Sequence, residues 1–512
     1  MKNGKRIYSR RKHLIILSLA AAIVIFILIS CLSRPSSIDT EMELESNDLI
    51  VGSSEGNAFS LYSMSVNKTG VFYDVFYQLR YRDYETNEEY VLCDKANCLH
   101  PLSSSCNAYL ANMFGIGYYD GQIYAIYNNR SNNTFDFIKM DVNCQNQKVI
   151  ASFERGEYEA GEWYLASEPE YVYYGYGKMF VILEYKYVED EEIWDTVLEE
   201  DETTYVSTNG LSRLDAVMVD LTSGESTVLF ETDERADLYQ SLKFQLISED
   251  KVILIWREDE DALIGSSLML AIRNGELDDL EDVLEEIPEE NGESGWYDEN
   301  KVNALTNFYM DCAVFTETEQ TLHILQYDLA SGQLSELYEQ ACTPYYDENG
   351  IAYSFNSTMF CMGWTEDGFL VARYDYSGKA DPHHMTFLEW SFETESFTEL
   401  LEIEDGGVPS IKIGDVGNYI LDGGKVLYME YLEDGETGQM YYYDLDAGES
   451  ATLFVDDKYI TFRIQGETED SFVGDMVVND VHGFYKITKK DFYQGNFSEA
   501  TFLFDDDQFD SF

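Results

Sequence analysis

Three segments, "VMVDLTSGESTVLF", "ILQYDLASGQLSELY" and "YYYDLDAGESATLF", set the strongest limit on what this chain can fold into. Asp220, Asp328 and Asp444 hold the same place in them, each followed four residues later by a glycine. Alternating apolar residues on both sides of such a turn describe a β-hairpin, with the glycine free to take the positive φ that the turn requires. Weaker copies place equivalent positions at 83, 141, 391 and 488. A second hairpin pattern, an acid beside Gly or Lys and then alternating apolar residues, recurs at Asp120, Asp250, Asp367 and Asp422.

A unit of about 45 to 60 residues that holds about four strands is the mark of a β-propeller. A four-stranded blade cannot bury both faces alone, so blades pack on their neighbours around a channel. The chain is therefore read as all-β, a single β-propeller of seven four-stranded blades over residues 58–512. The interval from Asp220 to Asp328 is twice the usual one, and "LMLAIRNGELDDLEDVL" within it offers another copy, so eight blades are the alternative. A pair of β-sandwiches would not explain the recurring hairpin, and a β-helix needs a shorter period.

Ahead of the repeats, six Lys or Arg precede His13, and an apolar run follows from Leu14 to Ile29. That layout marks residues 1–31 as a signal peptide or membrane anchor helix with its basic flank inside. Leu28-Ile29-Ser30-Cys31 looks like a bacterial lipobox, which makes Cys31 the expected lipidation site, and a polar linker, 32–57, follows. The expected location is the outer face of the bacterial cell membrane, reached through the N-terminal lipid or anchor.

The part beyond Cys31 keeps 27 basic residues against 97 acidic ones. Such a surface repels phosphate backbones and anionic head groups, which argues against a nucleic-acid partner. With 45% hydrophobic and 15% aromatic residues there is still ample material for a core. The densest acidic stretches, 188–205 and 281–300, read as surface loops, because so much charge cannot be buried without partners.

The stretch "CDKANCLHPLSSSC" sets Cys93, Cys98, His100 and Cys106 in the spacing C-x4-C-x-H-x5-C, between the first and second blades. Three thiolates and an imidazole are a tetrahedral donor set for one structural zinc, and four protein ligands leave no open position for catalysis. In an extended segment, Cys98 and His100 would project to the same side. Export to an oxidising compartment opens the alternative of a disulfide, between Cys93 and Cys106 or with Cys144 as a further thiol. Cys312, Cys342 and Cys361 stand in apolar strands and read as core residues.

Nothing singles out a catalytic residue. There is no H-E-x-x-H, the neighbours His383 and His384 read as a loop pair because consecutive strand residues face opposite sides and do not easily chelate one ion, and no two carboxylates are picked out for glycoside chemistry. His323 and His482 lie in strand-like runs where packing or exposure is the default.

Taken together, the lipobox, the Tyr-rich propeller repeats and the "CDKANCLH" cluster resemble the TolB-like β-propeller lipoproteins of anaerobic Gram-positive bacteria. The resemblance covers most of the exported chain and implies the fold and the cell-surface address, without any catalytic residue to carry over. The function expected is a lipid-anchored binding or scaffold module for an extracellular glycan, peptide or protein. The rivals are an exported carbohydrate-active enzyme using funnel carboxylates, and a metal or redox sensor using the Cys/His cluster.

Overall fold

A computed structural model describes residues 36–37, 49–52 and, between 64 and 505, all but 67–68, 157–162, 166–168, 188–210, 233–234, 237–240, 260–319, 343, 347–351, 356, 376–383, 405, 408–418, 432–437, 457–462 and 479–480. Its strands form seven four-stranded antiparallel blades in a propeller ring. The blades occupy 64–91, 113–154, 170–231, 241–342, 357–404, 420–456 and 463–505 in chain order. First strands meet around the inner ring: Met64–Val66 touches Met113–Tyr119, and Ser357–Trp364 touches both Ser241–Ile247 and Ile420–Leu421. Fourth strands such as Lys148–Glu154 and Gln333–Cys342 form the exposed rim. Leu49–Gly52 adds antiparallel to the inner edge of Glu170–Gly175, and Ser36–Ser37 runs parallel to Glu89–Val91 on the rim.

The seven repeat positions read from the sequence share one structural place. Gln78–Asp83, Thr134–Asp141, Leu211–Asp220, Gln320–Asp328, His384–Ser391, Gly438–Asp444 and Val481–Thr488 are the third strands, and each ends on the repeat residue. The reason is hydrogen bonding in the turn that follows. Asp220 Oδ1 accepts from the N–H groups of Thr222 (3.0 Å) and Ser223 (2.7 Å), and Asp444 Oδ1 from those of Asp446 (3.1 Å) and Ala447 (2.9 Å). The Ser223 N–H holds the Asp220 carboxyl below its ordinary range. Gly224 closes the turn at φ 77°, its N–H donating to the Asp220 carbonyl at 2.8 Å. In the last copy, Thr488 instead caps the short helix Lys489–Tyr493, accepting from Asp491 N–H at 3.1 Å.

The doubled interval falls within a single blade. Lys251–Asp259 and Gln320–Asp328 pair without a break from Lys251↔Asp328 to Asp259↔Gln320, so residues 260–319 interrupt blade four between its second and third strands. The alternative of eight blades is thereby corrected to seven, because a gap in repeat spacing cannot tell a missed repeat from residues inserted within one. The eighth copy and both acidic stretches lie outside the described residues, as do 1–31, Cys31 included, and Cys312. Among the described residues no helix is long and apolar enough to cross a membrane.

Blades pack through aromatic side chains. Between blades two and three, the Tyr174 hydroxyl donates to the Gly115 carbonyl at 2.7 Å, and a Cβ at Gly117 would stand 2.4 Å from the Tyr174 ring. Between blades seven and one, Tyr73 stacks on Phe504 at 4.1 Å and Phe504 on Phe484 at 4.7 Å, within a cluster that includes Val71, Val75, Val473 and Leu503. Asn87 Nδ2 donates to the Phe502 carbonyl at 3.3 Å, and Arg82 donates to that of Leu503. Met64–Val66 also meets Arg463–Glu467, so the ring closes by packing, each terminal blade being built from its own end of the chain.

Candidate metal centre

The chain leaves blade one at Val91, and residues 92–112 lead to blade two. The return limb is hung on blade one by two backbone hydrogen bonds, Leu79 N–H to Ala108 O at 2.8 Å and Leu110 N–H to Tyr77 O at 2.6 Å. Inside this connection Cys93 and Cys106 are buried, and Cys98 and His100 are half-buried. One donor atom from each of the four lies within 4.8 Å of all the others. Cys106 Sγ and His100 Nδ1 are 3.9 Å apart. A tetrahedron with metal–sulfur arms of about 2.3 Å has edges of roughly 3.8 Å, so this Cys3His group can hold a metal ion.

Backbone donors prepare the sulfurs for negative charge. His100 N–H points to Cys98 Sγ at 3.4 Å, and the N–H groups of Lys95 and Ala108 point in the same way to Cys93 and Cys106. Each sulfur thus receives the N–H two residues further along, which favours the thiolate. Burial raises the Cys93 thiol, but the N–H groups of Lys95 and Asn107 and the thiols of Cys98 and Cys106 outweigh it and hold Cys93 below its ordinary value. Burial, reinforced by Cys93 and Cys98, pushes Cys106 up to about 12. One thiol of the group therefore ionises well ahead of another.

The expected extended path from Cys98 to His100 is not what brings these side chains together. Asn97 and His100 have φ values of 59° and 49°, left-handed turn conformations, and Cys98 N–H closes a turn on the Lys95 carbonyl at 2.9 Å. Asn and His tolerate that region better than most residues. Lys95 Nζ also reaches the Ser105 carbonyl at 2.8 Å, joining the two limbs of the loop.

Cys144 stands beside the group and outside it. It occupies the turn after the third strand of blade two at φ 59°, is buried, and has its thiol raised by burial first and then by Cys106 and Cys93. Its neighbours fix the seam: Asn143 Nδ2 donates to Asp94 at 2.7 Å, and Gln145 Nε2 donates to the other oxygen of the same carboxylate. Cys93, Cys98, Cys106, Cys144, Cys342 and Cys361 all carry free thiols. Cys342 and Cys361 are buried in the contact between blades four and five, in agreement with their reading as core residues.

The sequence left His323 to packing or exposure and gave no hint of its surroundings. The ring stacks on Trp256 at 4.8 Å, with Nδ1 2.9 Å from Glu336 Oε2 and Nε2 3.4 Å from Glu258 Oε1. Hairpin register was the missed signal, since pairing runs outward from Asp328↔Gln333 to Leu325↔Glu336, and a bulge there shifts it by one residue and brings His323 opposite Glu339. His384 lies on a third strand, while His383 is outside the described residues. The letters G-x-S-x-G also occur at 52–56, but Gly52 ends a strand and 53–56 lie outside the described residues, so the strand-to-helix turn that gives the motif meaning is not in evidence.

No family model and no curated protein matches this chain. Solved structures do. An oligogalacturonate lyase in complex with manganese is 11% identical, with a TM-score of 0.39 over 89% of this chain and 96% of its own. The β-propeller domain of the Trilobed protease from Pyrococcus furiosus is 10% identical, with a TM-score of 0.38 over 90% of this chain and 93% of its own. TolB from Acinetobacter baumannii is 11% identical, with a TM-score of 0.22 over 83% of this chain and 76% of its own. Likenesses this distant transfer neither substrate nor chemistry to this chain.

Proposed function

We propose that this chain is a lipid-anchored binding or scaffold module on the outer face of a bacterial membrane, tethered through Cys31, with one zinc ion held by Cys93, Cys98, His100 and Cys106. The zinc would be a staple. Four protein donors leave it no open position, and the group lies on the seam between two blades, where it would lock their relative orientation. The binding role draws support from one observation above all. Residues 188–210 and 260–319 both interrupt a blade between its second and third strands, so the two longest insertions leave the ring at the same end. Loops carried on a rigid scaffold are where propellers and similar folds meet their ligands.

The test is surface cross-linking on living cells with the full chain and with a chain in which 260–319 is replaced by a short turn, which the direct Asp259↔Gln320 pairing permits. A peptide, protein or glycan captured by the full chain and lost by the shortened, still anchored ring supports the reading. Equal capture by both, or turnover of a glycan by the purified full chain, overturns it in favour of another surface or of the enzyme.

A further inference from the structure

We propose a second, open metal site on the rim of blade four, in which His323 Nδ1, Glu336 and Glu339 bind a divalent first-row ion and Glu258 orients the imidazole. One donor atom from each of these three ligands lies within 4.8 Å of the other two. His323 Nδ1 and Glu336 Oε2 stand 2.9 Å apart. Two ligand arms of about 2.1 Å meeting at a right angle span roughly 3.0 Å, so a single ion fits between them.

The histidine is built in and not adventitious. Its side chain is 8% exposed, its ring is held flat against Trp256, and its Nε2 makes no hydrogen bond although Glu258 Oε1 is 3.4 Å away. Coordination at Nδ1 would make Nε2 the protonated nitrogen and give it Glu258 as acceptor. That carboxylate–histidine–metal arrangement is the usual outer support of a metal-ligating imidazole. The three ligands come from two paired strands, Gln320–Asp328 and Gln333–Cys342, and Glu258 from the neighbouring Lys251–Asp259, so a sheet and not a loop fixes their spacing. Glu336 is 48% exposed, which leaves the ion open to water or to an oxygen of an outside ligand. One nitrogen and two carboxylates suit manganese or zinc, in contrast with the thiolate set between blades one and two.

The probe is manganese(II) added to the full chain at high ionic strength, read by loss of the free-ion electron paramagnetic resonance signal and by quenching of Trp256 fluorescence. Mn2+ is a poor match for thiolates, so the probe separates the two sites. One equivalent is expected to bind about tenfold or more tightly than the diffuse acidic surface, to survive Cys106→Ser, and to vanish in Glu336→Gln/Glu339→Gln. Glu258→Gln, a positioning change, should weaken it by about ten- to a hundredfold. Tight binding that persists in the double glutamine variant with an unchanged far-UV spectrum overturns the proposal. So does a wild-type titration that shows only diffuse binding.

Discussion

Blade one is the smallest of the seven, and its two seams are held by different chemistry. Toward blade seven the contact is aromatic and aliphatic: Tyr73, Phe504 and Phe484 stacked in series, with Val71, Val473 and Leu503 around them. Toward blade two the connecting loop carries the Cys3His group, and Asp94 reaches across to Asn143 and Gln145. Strands of three to six residues give this blade little side-chain area of its own. Packing suffices where the first and last blades meet face to face. Where a connection of twenty-odd residues must be folded without regular structure, donors are gathered to one point instead. A packed seam fails by losing area, whereas a seam that held an ion would fail by losing it.

The seam between blades seven and one offers the largest expected effect. Phe504→Ala should cost about 3 to 5 kcal/mol, the range for a buried phenylalanine, measured as a lower urea midpoint with an unchanged slope. A loss under about 1 kcal/mol would mean that the stack does not close the ring. Gly117→Val tests a packed seam of the opposite kind, between blades two and three. The added carbons meet the Tyr174 ring, and overpacking of about 1 to 3 kcal/mol should lower the melting temperature.

For the chelated seam, zinc analysis of protein purified without oxygen should give one equivalent, lost in Cys106→Ser and kept in Cys144→Ala. Removing the ion should lower stability by about 3 to 4 kcal/mol when free zinc stands at a hundred to a thousand times its dissociation constant. That loss should add to the cost of Phe504→Ala, since the seams share no contact. No zinc, with fewer free thiols than the reduced chain contains, would put disulfides in its place.

The smallest effect belongs to an ionic seam between blades six and seven, where Lys489 Nζ lies 2.6 Å from Glu467 and 3.2 Å from Asp422. Burial raises the Asp422 carboxyl, but Lys425 and Lys489 hold it below its ordinary value of 3.8. A depressed folded value means that its contribution is complete above about pH 4 and is lost as pH falls through that value. Asp422→Asn should therefore cost less than about 1 kcal/mol at neutral pH and should make stability less sensitive to acid below pH 4. An equal acid sensitivity in both proteins would assign the effect to other carboxylates.

The contrast between seams also explains what could be read in advance. Asp220, Asp328 and Asp444 revealed the third strands because each carboxylate serves its own turn, a local task that leaves a local pattern. The grouping of Cys93, Cys98, His100 and Cys106 was legible for the same reason, since all four fall within one short connection. The number of blades was ambiguous because strands that pair across 260–319 are neighbours only in space. The turn at His100 depends on a left-handed φ that residue identity permits without demanding. The carboxylates around His323 were lost among ninety-seven acids. Only strand register separates Glu336 and Glu339 from the rest.

Because the four strands of every blade follow one another in the chain, the order of synthesis is also an order in which the blades can be assembled. Each blade can pair its own four strands as soon as they have emerged, although Leu49–Gly52 must wait for Glu170–Gly175 of the third blade. The longest wait is for Phe504, whose arrival lets the last blade find the first. Until that moment the nascent ring is an open arc, with Val71 and Tyr73 uncovered at its leading edge.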